Sequence, residues 1–97
     1  MKAVFISHNQ ALTKEVEDIL DNLFIRGYTQ WIDVNGQGSD TGEPHQGTHT
    51  WPSLNNVLLT IIPDEKVKDL LKKLSELNKK VEDQGLRAFV WNVEDTI

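Results

Sequence analysis

The order of hydrophobic periodicities along this chain is the feature that most limits its fold. Apolar residues recur at helical spacing in two stretches, and short apolar runs lie before, between and after them. The first helical stripe ends before Gly27, and the second begins after Pro63 and ends before Gly85. The stripes comprise Leu12, Val16, Ile19, Leu20, Leu23 and Phe24, then Val67, Leu70, Leu71, Leu74, Leu77 and Val81. The remaining apolar runs predict strands at residues 2–6, 28–34, 57–62 and 86–93.

This β-α-β-β-α-β order predicts an α+β, ferredoxin-like fold. Each right-handed crossover returns to the same side, so both helices should cover one face of a four-stranded antiparallel sheet. The first and third strands are apolar at consecutive positions, which is typical of strands buried on both faces. At about 25 cal/mol per Å² of apolar surface, leaving roughly a few hundred Å² of the second face in water would forgo several kcal/mol of stability. We therefore expect copies of this single domain, residues 1–97, to associate through the sheet.

Composition excludes several classes of function. Ten Lys and Arg against 15 Asp and Glu give a net charge of −5, which argues against binding to a phosphate backbone. The absence of cysteine excludes disulfides, thiolate metal sites and thiol nucleophiles. No stretch approaches the roughly 18 apolar residues needed to cross a bilayer. We expect a cytoplasmic protein with no nucleic-acid partner and no membrane insertion.

Residues 35–56 are the first place to look for function. They hold four of the six glycines and two of the three prolines, without apolar periodicity. Connections longer than about 12–15 residues are usually functional or disordered. The segment begins with Asn35-Gly36-Gln37-Gly38 and ends with Trp51-Pro52-Ser53-Leu54-Asn55-Asn56. Trp51 is either an anchor that packs the segment against the sheet or a stacking platform for a ligand, and the adjacent proline favours the anchor.

Two polar residues lie next to predicted strands. His8 falls in the polar run that follows the first strand, which predicts a turn residue, with a side chain that reaches a cleft as the alternative. Arg87 follows the end of the second helix, where it either pairs with Glu82 or Asp83 or contacts an anion at a subunit boundary.

Taken together, the element order, the turn at residues 35–38, the length of segment 35–56 and its Trp-Pro exit resemble the PII-like signalling family, of the nitrogen regulatory P-II and CutA-type superfamily, in a divergent branch. The resemblance covers essentially the whole chain. It implies a regulatory homotrimer with a ligand cleft between subunits at the base of a long T-loop. It also implies that this loop docks onto a partner, such as a membrane transporter or an enzyme. The ligand residues implied are Gly36, Gln37, Gly38, Trp51 and Arg87.

The chain departs from the nitrogen regulators in its phosphate contacts. Those regulators carry a Gly-Asp-Gly-Lys-type loop before the fourth strand, where this chain has Glu82-Asp83-Gln84-Gly85-Leu86-Arg87. No Lys or Arg lies between Arg26 and Lys66. A nucleotide would therefore have to rely on Arg87 and on backbone N–H groups. The only tyrosine, Tyr28, is in a predicted strand, so control by modification of a loop tyrosine is not expected.

A metal-binding or metal-tolerance protein is the alternative function. Asp40, Glu43, His45 and His49 lie close together in the long segment, and their side chains suit Zn²⁺ or Cu²⁺. His45 and His49 would share a helix face, but Gly47 between them disfavours a helix. A hydrolase is a third and weaker alternative. Since no activated nucleophile or acid–base pair is evident, we expect no enzymatic activity.

Overall fold

The computed structural model describes residues 1–36, 54–81 and 85–97. Over these ranges the chain forms helices and strands in the predicted order. Among the described residues, neither helix is both long and apolar enough to span a membrane. The bounds are β1 Lys2–Asn9, α1 Thr13–Asn22, β2 Thr29–Val34, β3 Asn55–Ile62, α2 Asp64–Lys80 and β4 Leu86–Asn92, with a 3₁₀ turn at Gln10–Leu12 before α1.

The strands form one antiparallel sheet in the order β2-β3-β1-β4. The two strands with consecutive apolar residues, β1 and β3, are therefore central, as their sequences indicate. Side chains from one sheet face and from both helices form a single core, which confirms the ferredoxin-like α+β fold with both helices on one face. The buried members of this core are Val4, Ile6, Leu12, Val16, Leu20, Ile25, Leu58, Ile62, Leu70, Leu74 and Leu86.

The opposite side of the sheet, which we call the open face, is not covered by either helix. Strand register and the alternation of side chains place on it Ala3, Phe5, Ser7, Trp31, Val57, Leu59, Ile61, Arg87, Phe89 and Trp91. The Phe5 and Trp91 rings lie 6.5 Å apart between centroids. Trp31, Ile61, Phe89 and Trp91 are each 44–49% exposed. The open face is thus apolar, aromatic and accessible to water.

Helix α1 ends earlier than its hydrophobic stripe predicts. Phe24 was expected in the helix, but it follows the helix with a left-handed φ of 58° and is 71% exposed. The Phe24 N–H donates to the Asp21 carbonyl and the Ile25 N–H to the Leu20 carbonyl, which is a Schellman ending. Ile25 takes the core position instead, at 4% exposure. The helix therefore ends where Ile25 turns into the core, before the chain reaches Gly27.

Two strands are longer than predicted because polar residues extend them. Strand β1 continues to Asn9, so the prediction that His8 is a turn residue is wrong. Strand β3 begins at Asn55, so the last two residues of segment 35–56 belong to the sheet. In the ladder His8 pairs with Asn56, and Asn9 with Asn55. Strand pairing therefore continues through these polar residues to the edge of the sheet.

Candidate functional site

Strand β1 ends, and β3 and β4 begin, at one edge of the sheet, which we call the loop-base edge. The Asn9 N–H donates to the Gly85 carbonyl at 3.1 Å, and the Gln10 N–H donates to the Leu54 carbonyl at 3.0 Å. Leu54 and Gly85 are the first described residues after the two ranges outside the description. The described chain therefore resumes beside the end of β1 after both of these ranges.

A polar cluster lies under this edge, around the side chain of Asn56, which is 6% exposed. Its Oδ1 accepts hydrogen bonds from the Asp33 backbone N–H at 3.1 Å and from Gln10 Nε2 at 3.2 Å. Its Nδ2 donates to Thr13 Oγ1 at 2.8 Å. Gln10 Nε2 also donates to the Asp33 carboxylate. With His8, these residues form the loop-base cluster, which joins β1, β2, β3 and the start of α1.

His8 is the most deeply buried member of the loop-base cluster, at 1% exposure. Its Nε2 lies 3.3 Å from Thr13 Oγ1, while Nδ1 has no hydrogen-bond partner of normal geometry among the described residues. Burial lowers the pKa of the imidazole, and an interaction with the Ile6 backbone opposes this shift in part. The ring is therefore neutral near pH 7, and Thr13 Oγ1 can donate its proton to Nε2.

Asp33 interrupts the regular alternation of β2. The register shifts between Trp31 and Val34, which is a β-bulge or similar irregularity, and Asp33 has a left-handed φ of 59°. Asp tolerates this conformation better than most residues with a Cβ. The irregularity directs the Asp33 carboxylate to Gln10, at the point where β2 approaches the long segment.

Two of the predicted ligand residues lie in described parts of the chain. A Cβ on Gly36 would overlap the side-chain amide of Asn55, so glycine permits this close approach. Arg87 is the second residue of β4, on the open face, with its guanidinium 5.6 Å from the Phe89 ring centroid. Both belong to the loop-base edge. The other predicted residues, Gln37, Gly38 and Trp51, and the predicted Arg87 partners Glu82 and Asp83, lie outside the described residues.

The predicted metal ligands Asp40, Glu43, His45 and His49 also lie outside the described residues. Within residues 1–36, 54–81 and 85–97, no group of three or more His, Asp or Glu side chains is placed to hold a metal ion. Metal binding by the four residues of the long segment stays a prediction.

Sequence reasoning did not identify Gln10, Thr13, Asp33 or Asn56 as a cluster. The available signal was that short polar runs flank the apolar strands, at Ser7–Gln10 and at Asn55-Asn56. Since antiparallel strands that neighbour each other begin and end at a common edge, such runs predict a shared polar site once the strand order is known.

One antiparallel four-stranded sheet with both helices on one face places the chain in the ferredoxin-like α+β class. The chain matches the family model for nitrogen regulatory protein P-II over residues 1–97, and it therefore belongs to the P-II family of signalling proteins. Among solved structures it resembles CPII, a nitrogen regulatory PII-like protein from Thiomonas intermedia K12, with 22% identity and a TM-score of 0.74. That match covers 95% of this chain and 88% of CPII.

A PII-like signalling protein from Thermus thermophilus is also similar, with 25% identity and a TM-score of 0.68. The match covers 95% of this chain and 85% of that protein. A search of curated protein sequences found no significant match. The family model confirms the resemblance to PII-like proteins, and the solved structures confirm the fold.

Proposed function

We propose that the chain is a regulatory subunit that acts as a cytoplasmic homotrimer and catalyses no reaction. It binds a small effector at the loop-base edge, in a cleft between subunits. It passes the bound state to a partner protein, such as a transporter or an enzyme, through residues 35–56. Membership of the P-II family supports the regulatory role.

The open face is the observation that carries this proposal. Exposed apolar patches larger than a few hundred Å² usually mark an interaction site in soluble proteins. Here the half-exposed side chains Trp31, Ile61, Phe89 and Trp91 share one sheet face. Aromatic residues are enriched at the buried centre of protein interfaces. Covering this face with further copies of the chain removes it from water, and the trimeric assembly implied by the family resemblance supports three copies.

An adenine nucleotide is the effector that we propose. Solved structures of CPII are described as bound to ADP, AMP and bicarbonate. In this chain Gly36, Gln37, Gly38, Trp51 and Arg87 are the proposed contacts. Because no Lys or Arg lies between Arg26 and Lys66, the edge offers few cations, which favours a mono- or diphosphate over a triphosphate.

Replacing Phe89 with glutamate tests assembly and effector binding together. Light scattering should give the wild type three times the mass of one chain, because the open face is covered. Phe89→Glu places a charge on that face and should give a single subunit that loses ADP and AMP binding in calorimetry. Phe24→Glu is the matched control, since Phe24 is more exposed than Phe89 but lies outside the open face, and it should stay trimeric.

Two results would contradict separate parts of the proposal. A folded wild-type monomer at micromolar concentration would overturn assembly through the open face. A wild-type trimer that binds neither ADP nor AMP would leave assembly intact and would overturn the nucleotide effector.

A further inference from the structure

The side-chain amide of Asn56 can take only one orientation. Its oxygen faces two donors, the Asp33 N–H and Gln10 Nε2, and its nitrogen faces the hydroxyl of Thr13. Exchanging the two ends would bring the NH₂ group against both donors. This is unfavourable because Asn56 is only 6% exposed and water cannot take the place of the lost acceptor. Asn56 is thus a fixed link between β3, the end of β2 and the start of α1.

Asp33 is held in its left-handed conformation from two sides. Asn56 accepts a hydrogen bond from its backbone N–H, and Gln10 donates one to its carboxylate. A residue with a Cβ persists in this conformation only where its surroundings impose it, and such residues cluster at functional sites. The loop-base cluster supplies that constraint.

The irregularity at Asp33 lies directly before the point where the chain leaves the sheet. Irregularities of this kind bend a strand and increase its twist. Val34 then pairs with Asn55, and Gly36 reaches a position against the Asn55 side chain where no Cβ fits without a shift. Residues 34–36 thus lie between the irregularity at Asp33 and the close approach of Gly36 to Asn55, directly before the long segment.

We propose that Gln10 and Asn56 hold Asp33 in the left-handed conformation so that β2 leaves the sheet in the single direction that the effector site requires. Asp33 is then a positioning residue for effector binding. This inference rests on the proposed function, because it takes the effector to lie at the loop-base edge.

Two substitutions of Asp33 separate positioning from stability. Asp33→Gly adopts the same φ without strain but loses the contact with Gln10 and gains other conformations. We expect an unchanged or higher melting temperature, about tenfold faster amide exchange at residues 34–36, and about fivefold weaker ADP binding. Asp33→Asn tolerates the left-handed conformation and keeps an acceptor for Gln10, so it should restore exchange and affinity to within about twofold of the wild type.

A purely structural role for Asp33 would make melting temperature and ADP affinity fall together. Gln10→Ala provides a second variant, because it removes the side-chain contact and leaves Asp33 in place. Gln10→Ala should also speed amide exchange at residues 34–36 and weaken ADP binding, each by a smaller factor than Asp33→Gly.

Unchanged exchange at residues 34–36 in both Asp33→Gly and Gln10→Ala would overturn the inference. Faster exchange with unchanged ADP affinity would overturn the positioning role as well. If the wild type bound no ADP while Asp33→Gly still showed faster exchange, the hold on Asp33 would be supported and the proposed function would be overturned instead.

Discussion

Burial of the His8 imidazole makes the stability of this protein depend on pH. Its pKa in the folded state is lowered by burial, whereas in the unfolded chain it is about 6.5. As pH falls below about 6.5, the unfolded chain takes up a proton at this ring that the folded chain does not. The contribution of His8 is therefore fully present above that pH and decreases below it.

Urea unfolding between about pH 7 and 5.5 tests this residue. The wild type should lose stability across that interval, and His8→Gln should show a flatter dependence from a lower starting stability. His45 and His49 are retained in the variant, so any contribution from them remains in both curves. Equal pH dependence in the two proteins would contradict the assignment to His8.

At the scale of the element, the end of α1 carries an avoidable cost. A residue with a Cβ in the left-handed conformation costs about 1–2 kcal/mol, and Phe24 adopts it while 71% exposed. We expect Phe24→Gly to be more stable than Phe24→Ala by about 1 kcal/mol, or about 4–8 °C in melting temperature. Both variants lose the aromatic ring, so their difference isolates the backbone. An alanine variant as stable as the glycine variant would contradict this account.

The sequence was most informative for elements whose hydrophobic pattern is regular along their length. The consecutive apolar residues of β1 and β3 predicted central strands, and the stripe of α2 predicted a helix that packs on the sheet. The predicted end of α1 was wrong because helical spacing continues to Phe24, whereas Ile25 is the residue buried in the core. Periodicity alone does not show which of two neighbouring apolar residues the core accepts.

The candidate site was less predictable for a physical reason. The sequence predicts a turn residue at His8 and the end of the long segment at Asn56, yet both are paired in the ladder and buried beside the start of α1. Their hydrogen bonds join residues far apart in sequence, so no local pattern reports them. The irregularity at Asp33 likewise occurs beside hydrogen bonds to Gln10 and Asn56, residues distant in the sequence, and is invisible in the alternation of β2.

On the scale of the whole molecule, the open face and the loop-base edge are continuous. The row of the open face nearest this edge contains Ser7 of β1 and Arg87 of β4, two residues before Asn9 and two residues after Gly85, whose backbones are hydrogen-bonded at the edge. Covering the open face with a second copy would therefore bring that copy next to the loop-base edge. An effector at the edge should then contact two subunits, so its binding and assembly should be thermodynamically coupled.

Dilution in the presence and absence of ADP measures this coupling. A ligand that binds the assembled state more tightly than the free subunit stabilises assembly by mass action. We expect saturating ADP to lower the protein concentration at which the assembly half-dissociates by about tenfold or more. The mass from light scattering over the dilution series gives this concentration. Adenosine, which lacks phosphate for Arg87, should produce a smaller shift. If ADP binds in calorimetry but does not change the concentration at which the assembly half-dissociates, the effector lies within one subunit. That result would contradict a cleft between copies.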